Sequence, residues 1–234
     1  MMVPPPPAAR AVIADLGSRQ GQREERIYLA ADLDPTHLDL PDGLDLGPQV
    51  AIDSETMGLR FRRDPLCVVQ LSSGDGNAHV VRLNRPAYDC PNLKRVLTDP
   101  AVTKIFHFGR FDIGMFLLHL GVETRPVYCT KIASKLARTY TDRHGLKDVV
   151  RETVGVDLSK AQQSSDWGAE TLSQAQLDYA ASDVLYLHAA KAKLDMMLAR
   201  EGRTDLAAEC FDFLPTRSAL DLAGWDETDI FAHS

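Results

Sequence analysis

The chain has 234 residues, 44% of them hydrophobic and 25% charged, enough apolar material for one large core or two small ones. No apolar run approaches bilayer length, and a start containing Pro4-Pro5-Pro6-Pro7 cannot build the apolar helix of a signal peptide, so a cytoplasmic protein with no membrane partner is expected. The formal net charge of −7 argues against gripping a long nucleic acid through many phosphates and for a short substrate held by a few specific contacts.

In chain order, residues 1–23 read as a disordered proline-rich extension and residues 24–234 as a single domain with a helical C-terminal tail. Gln49 to Asp53 is a short apolar run ending in acid, the pattern of a buried strand. Leu66 to Leu71 and Ala78 to Leu83 read as the next two strands. The turn residues Gly74-Asp75-Gly76-Asn77 between them predict a hairpin. A helix over Asn92 to Leu97 and a strand over Thr103 to Phe106 follow. Gly109 to Leu120 reads as one apolar helix stopped by Gly121. Pro126 to Tyr128 reads as a strand, and Thr130 to Arg138 and Leu146 to Thr153 as helices. Leu158 to Trp167 is polar and aperiodic, hence a loop. Ser173, with Gln176 three residues on, forms a capping box for a long helix reaching about Arg200. Thr204 to Phe213 and Thr216 to Leu222 read as two shorter helices. The order predicts an α/β fold with a mixed sheet flanked by helices. Cys67, Cys90, Cys129 and Cys210 are far apart with no CxxC pair, so reduced thiols are expected rather than zinc. Arg60, Arg62 and Arg63 read as a solvated basic loop.

Three acidic motifs stand out against this background. Asp53 and Glu55 are spaced i, i+2, which places both carboxylates on one face of a strand. Asp112 falls in the first turn of its helix, where the positive dipole end favours it. Tyr179 and Asp183, spaced i, i+4, share a helix face, and Ala180, Ala181 and Ser182 are small enough for that helix to approach the sheet. Four carboxylates brought together repel unless a cation neutralises them, so a pair of divalent metals, Mg²⁺ or Mn²⁺, is expected. A metal pair points to phosphodiester hydrolysis, with Tyr179 orienting the attacking water.

In this order the motifs Asp53-x-Glu55, Asp112 and Tyr179-x-x-x-Asp183 resemble those of the DEDD 3′→5′ exonucleases, in their tyrosine-bearing subclass. The stretch Leu158-Ser159-Lys160-Ala161-Gln162-Gln163-Ser164-Ser165-Asp166-Trp167 resembles the ribonuclease D branch. The resemblance implies a ribonuclease H-like fold, with Asp53, Glu55, Asp112 and Asp183 as metal ligands and Tyr179 as their catalytic companion. The stretch after Asp183 is too short for the helical accessory domains of ribonuclease D. Arg60-Phe61-Arg62-Arg63-Asp64, Cys129 to Ser134, Tyr140 to Asp148 and Asp229 to Ser234 look like the bacterial nano-RNase C enzymes. These are single-domain exoribonucleases that degrade very short RNA, chiefly dinucleotides, and assemble as ring-like homo-octamers. A homo-oligomer, to which the C-terminal segment with Leu220, Leu222, Trp225, Ile230 and Phe231 contributes, is therefore implied beside simple docking of that segment on its own domain.

The expected substrate contacts are Leu59, His107, Lys160, Gln163 and Ser165. By resemblance Leu59 is a wedge between two bases, and Gly58 lets its loop come close to the substrate. Lys160, Gln163 and Ser165 suit a phosphate by charge and hydrogen bonding. Arg143 and His144 fall near the site, His144 as a satisfied surface histidine. Other readings of the same motifs are trimming of longer structured RNA in the manner of ribonuclease D, a DNA exonuclease, and a non-catalytic RNA-binding scaffold.

Overall fold

A computed structural model describes residues 26–29, 38–159, 161–162 and 164–233. The strands are β1 (Arg26–Leu29), β2 (Gln49–Thr56), β3 (Leu66–Ser72), β4 (Asn77–Arg82), β5 (Thr103–Phe106) and β6 (Val127–Cys129). They form one mixed sheet in the order β1-β4-β3-β2-β5-β6. β3 is buried at every position, as its nearly continuous apolar run requires of a strand covered on both faces. It pairs antiparallel with β2 on one side and with β4 on the other, and the second pairing is the expected hairpin. β5 and β6 extend the sheet in parallel. β1, which the sequence reading did not recognise as a strand, joins the far edge parallel to β4. Four residues whose partner lies some fifty positions away carry no local pattern to read.

The helices are α1 (Pro91–Thr98), α2 (Arg110–Met115), α3 (Thr130–Ala137), α4 (Leu146–Val154), α5 (Gln174–Leu185), α6 (Leu187–Arg200) and α7 (Thr204–Leu220). Proline opens α1, and the free N–H groups of Asn92 and Leu93 are taken by the buried Asp39 carboxylate at 2.6 and 2.8 Å. The helix expected from Gly109 to Leu120 is α2 followed by a wider turn, Phe116–Leu120. Gly121 ends it in the left-handed conformation (φ 68°) and donates to the Phe116 carbonyl.

Two expectations about helix continuity are overturned. The long helix beginning at Ser173 breaks at Tyr186, where φ −103° and ψ −2° depart from regular α-helix values. The break separates two jobs. α5 lays Ala180, Ala181 and Val184 on β2, β3 and β4, whereas α6 buries Leu187, Ala190, Leu194 and Leu198 chiefly against α3 and α4. Conversely, Pro215 does not divide the C-terminal helix: α7 runs through it to Leu220. Interior proline costs roughly 3 kcal/mol. Burial of Ala207, Phe211 and Leu214 along the same helix, with Phe211 against Tyr128 at 4.5 Å between ring centroids, offsets that cost.

The capping box is present as expected: Ser173 accepts from the Gln176 N–H, and the Gln176 side chain accepts from the Ser173 N–H at 2.9 Å. All four cysteines are free thiols, with Cys67, Cys90 and Cys129 buried. Among the described residues no helix is long and apolar enough to cross a membrane. The proline-rich extension assigned to residues 1–23 lies outside the described residues.

Candidate metal centre

β2 supplies the first two carboxylates. Asp53 stands opposite Gln70 of β3 and Glu55 opposite Val68, and the pairing register slips just beyond, between Glu55 and Thr56. Such an irregularity re-aims a strand end and is common beside functional sites. α5 brings the third, Asp183, down onto the sheet, which the small buried Ala180 and Ala181 permit. Carboxylate oxygens of Asp53, Glu55 and Asp183 all lie within 4.8 Å of one another. Asp112 is buried in the first turn of α2, and its Oδ1 accepts from the Ser54 hydroxyl at 2.5 Å. It is not one of this trio, yet it is close enough to push the Asp53 and Glu55 pKa values up.

The electrostatics follow from this crowding. Burial, then the charges of Asp112, Asp183 and Glu55, raise the Asp53 carboxyl well above its usual value. Burial with repulsion from Asp183 and Asp112 pushes Glu55 up to about 9. Burial lifts Asp112 to about 6 and Asp183 to about 7. Among the described residues the polar help is small. Gln70, fully buried, donates its Nε2 to Asp53 Oδ2 at 2.7 Å, and its own Oε1 has no partner among the described residues. Tyr179 is hydrogen-bonded to Asp183, and burial together with the carboxylates drives its own pKa upward, so it stays a phenol. Its ring lies 6.0 Å from that of the buried Trp167. An all-oxygen donor set whose members repel each other fits a hard divalent cation.

The structure thus brings Asp53, Glu55 and Asp183 together, with Asp112 and Tyr179 adjoining. The other expected contacts divide. Leu59 is 81% exposed, at the tip of a loop that is anything but loose. Asp64 accepts from the Arg60 N–H at 2.9 Å and from Arg63 Nε at 2.6 Å, and Met57 N–H donates to the Pro65 carbonyl at 3.2 Å. A Cβ on Gly58 would sit 2.3 Å from Asp64 Oδ2, so this turn admits only glycine. Arg60, Arg62 and Arg63 are exposed, as expected of a solvated basic loop, and Arg63 also clasps the loop through Asp64.

His107 points to α3. Its Nδ1 is 2.9 Å from Thr130 Oγ1, and Nε2 is buried without a partner among the described residues. Burial, then nearby Lys131, pushes its pKa down to about 3. His144 lies beside it and is satisfied as expected, its Nδ1 2.9 Å from Ser134 Oγ. The Ser165 hydroxyl donates to Gln162 at 2.5 Å. Lys160 and Gln163 lie outside the described residues. The sequence reading missed Gln70 and Ser54. Gln70 had a signal, as the polar interruption in Leu66-Cys67-Val68-Val69-Gln70-Leu71. The Ser54 contact with Asp112 spans 58 positions and had none.

A mixed sheet with acids on its central strand and on two helices defines the ribonuclease H-like class of 3′–5′ exonucleases, and a 3′-5′ exonuclease family model matches residues 39–199. The chain is 40% identical over 162 residues to ribonuclease D of Granulibacter bethesdensis, an alignment covering 69% of this chain and 40% of that protein. It thus spans about two fifths of the length of the curated relatives it matches. Brucella melitensis NrnC with bound Mg²⁺ is 58% identical with a TM-score of 0.80, over 84% of this chain and 96% of that one. NrnC bound to pGG is 59% identical with a TM-score of 0.81, over the same shares. The chain belongs to the 3′–5′ exonuclease family, in its ribonuclease D and NrnC type.

Proposed function

We propose that this chain is a metal-dependent 3′→5′ exoribonuclease that hydrolyses very short RNA, chiefly 5′-phosphorylated dinucleotides, to mononucleotides in the cytoplasm. The observation that carries the reading is the trio Asp53, Glu55 and Asp183 with oxygens within 4.8 Å of one another and Asp112 buried near them. In this reading these four carboxylates hold two divalent cations, Mg²⁺ or Mn²⁺. Bound there, the cations neutralise the scissile phosphate and make water a better nucleophile. Water adds to phosphorus, the bond from phosphorus to the 3′ oxygen of the preceding nucleotide breaks, and one water proton ends on that oxygen. Tyr179, kept protonated, orients the water by hydrogen bonding rather than acting as a base. Its present partner Asp183 fixes the hydroxyl's direction.

A preference for short substrates is supported by Leu59, a large apolar side chain held out into water by an ordered loop, as a wedge between bases requires. His107, Lys160, Gln163 and Ser165 complete the proposed substrate contacts. An NrnC structure carries pGG, which fits the same substrate class. We further infer a homo-oligomer, an octamer by resemblance. Phe213, Trp225, Ile230 and Phe231 are exposed near the C-terminus, with the Phe213 and Phe231 rings 5.9 Å apart. The first part of the tail docks on its own chain through Asp221, buried and paired with Arg110 at 2.6 Å.

The test is a length series of 5′-phosphorylated RNA from two to seven nucleotides with Mg²⁺ or Mn²⁺ and an EDTA control. A steep fall in rate above two nucleotides, abolished by EDTA, is the expected result. A flat or rising profile would replace this reading with general RNA trimming.

A further inference from the structure

Four arginines border a cavity that the carboxylates of the metal centre do not line. The cavity, about 660 Å³, lies between the Met57–Pro65 loop and the segment following β4. Arg62, Arg63, Arg82 and Arg85 line it, against the single carboxylate of Asp64, and Asp64 is already committed to Arg63 and to the Arg60 N–H. Neither Asp53, Glu55, Asp112, Asp183 nor Tyr179 is on its wall.

Arg63 is paired with Asp64, but the guanidinium groups of Arg62 and Arg85 are held without being neutralised. Arg85 donates one bond to the Gly168 carbonyl at 2.7 Å, and Arg62 one to the Leu222 carbonyl at 3.0 Å. A carbonyl contact fixes the direction of such a group while leaving most of its five donors open. The Arg82 side chain meets no carboxylate or carbonyl among the described residues. Nε2 of His119, which also lines the cavity, is buried without a partner among the described residues. Like charges gathered in one cavity repel, and the anion that best matches several planar forks at once is a phosphate, which accepts bidentate bonds.

The cavity is larger than a bare phosphate needs and is of the size that takes a small organic ligand. Part of its wall is aromatic and apolar: the His119 ring lies 5.2 Å from that of Tyr88, tilted by 44° to it, beside Leu83 and Pro86. Arginines for a phosphate and an aromatic wall for a base specify a nucleoside monophosphate. Arg85 packs beside Met57 and Gly168. A Cβ at Gly168 would meet Met57 Sδ at 2.7 Å, with Arg85 Nη1 at 3.4 Å.

We propose that this arginine-lined cavity is a second nucleotide-binding site, one that holds a nucleoside 5′-phosphate without hydrolysing it. The phosphate has two sources: a free mononucleotide, or a nucleotide of a longer RNA whose 3′ end occupies the metal centre. The site goes beyond the proposed hydrolysis and does not depend on it.

The experiment is equilibrium binding of 5′-AMP and of inorganic phosphate to the full chain in EDTA, where no cation is available to retain a phosphate at the carboxylates. Saturable AMP binding is expected, weakened about tenfold or more in Arg82→Gln, the scale of losing one charge-assisted contact. Phosphate should compete for the same site more weakly than AMP. Asn84→Ala, on the rim, is expected to give a smaller loss in the same direction and guards against a folding defect in the first variant. With Mg²⁺, dinucleotide turnover by Arg82→Gln should stay within about twofold of the parent, less than any single charged contact would contribute. A KM raised for a 5′-phosphorylated pentamer but not for a dinucleotide would identify the RNA chain as the phosphate's source. Loss of AMP binding with both KM values unchanged would identify the free nucleotide. Absence of saturable AMP binding in EDTA, or equal affinity in the parent and Arg82→Gln, overturns the proposal, whatever the length series shows.

Discussion

Two of the places where this molecule buries charge are built on opposite plans. Around Arg138, 1% exposed, every demand is met: Nε and Nη2 donate to Glu152, while Nη1 donates to Ser134 Oγ and to the Arg143 carbonyl, both at 2.8 Å. Tyr140 closes the cluster on Glu152. At Asp53, Glu55 and Asp183 the neighbours carry the same sign, and no cation of the described residues is set among them. The first arrangement clamps α3 to α4 and asks for nothing further. The second is held in place by rigid elements against its own repulsion, which is how a fold keeps a site ready for an ion it does not itself supply.

The largest expected effect comes from relieving the repulsion. Asp183→Asn should lower dinucleotide turnover by roughly 10²–10³-fold or more, the scale of removing one group that stabilises transition-state charge. At the same time the metal-free protein should melt at a higher temperature at pH 8. Substantial remaining turnover, or a lower melting temperature, would break the contrast. Arg138→Leu should do the reverse. Stripping the partner from the half-exposed Glu152 and leaving the Arg143 carbonyl unpaired should cost about 1–3 kcal/mol in denaturant unfolding. Mg²⁺ should still stabilise what remains folded.

The two plans also differ in the sign of their pH dependence. Asp112, Asp183 and Glu55 are lifted to about 6, 7 and 9, so their contribution to stability is full below the ordinary carboxylate range and is lost as pH rises through those values. Glu152 is held below its usual value by Arg138, so its contribution is present at neutral pH and is lost as pH falls. Thermal unfolding in EDTA should therefore show a falling melting temperature from pH 5 to 9. Added Mg²⁺ or Mn²⁺ should recover it most at the alkaline end, where ligand protons no longer compete. A profile that Mg²⁺ shifts equally at every pH would contradict the carboxylate assignment. The smallest effect is Tyr179→Phe, expected to reduce kcat about tenfold, the worth of one hydrogen bond in the transition state, with little change in the metal concentration required.

How much of this was legible beforehand depends on range. The carboxylate motifs could be read because each is local: i, i+2 on β2, i, i+4 on α5, and a first-turn position on α2. The Ser173 capping box was readable for the same reason. The break at Tyr186 carried no glycine or proline to announce it. Pro215 announced a break that long-range packing of α7 overrode. The partners that tune the site, Gln70 on Asp53 and Ser54 on Asp112, arise only when strands and helices assemble. The arginine cavity is the extreme case, since Arg62 and Arg63 lie in the loop between β2 and β3 while Arg82 ends β4 and Arg85 follows it.

The clasp that Asp64 makes on the Met57–Pro65 loop has a thermodynamic consequence. Because that turn is already ordered, bringing a base onto Leu59 removes apolar surface from water without first freezing a segment of chain. Association with a dinucleotide should therefore carry a negative heat-capacity change and only a slight loss of configurational freedom, a signature that calorimetry with Leu59→Ala would reduce.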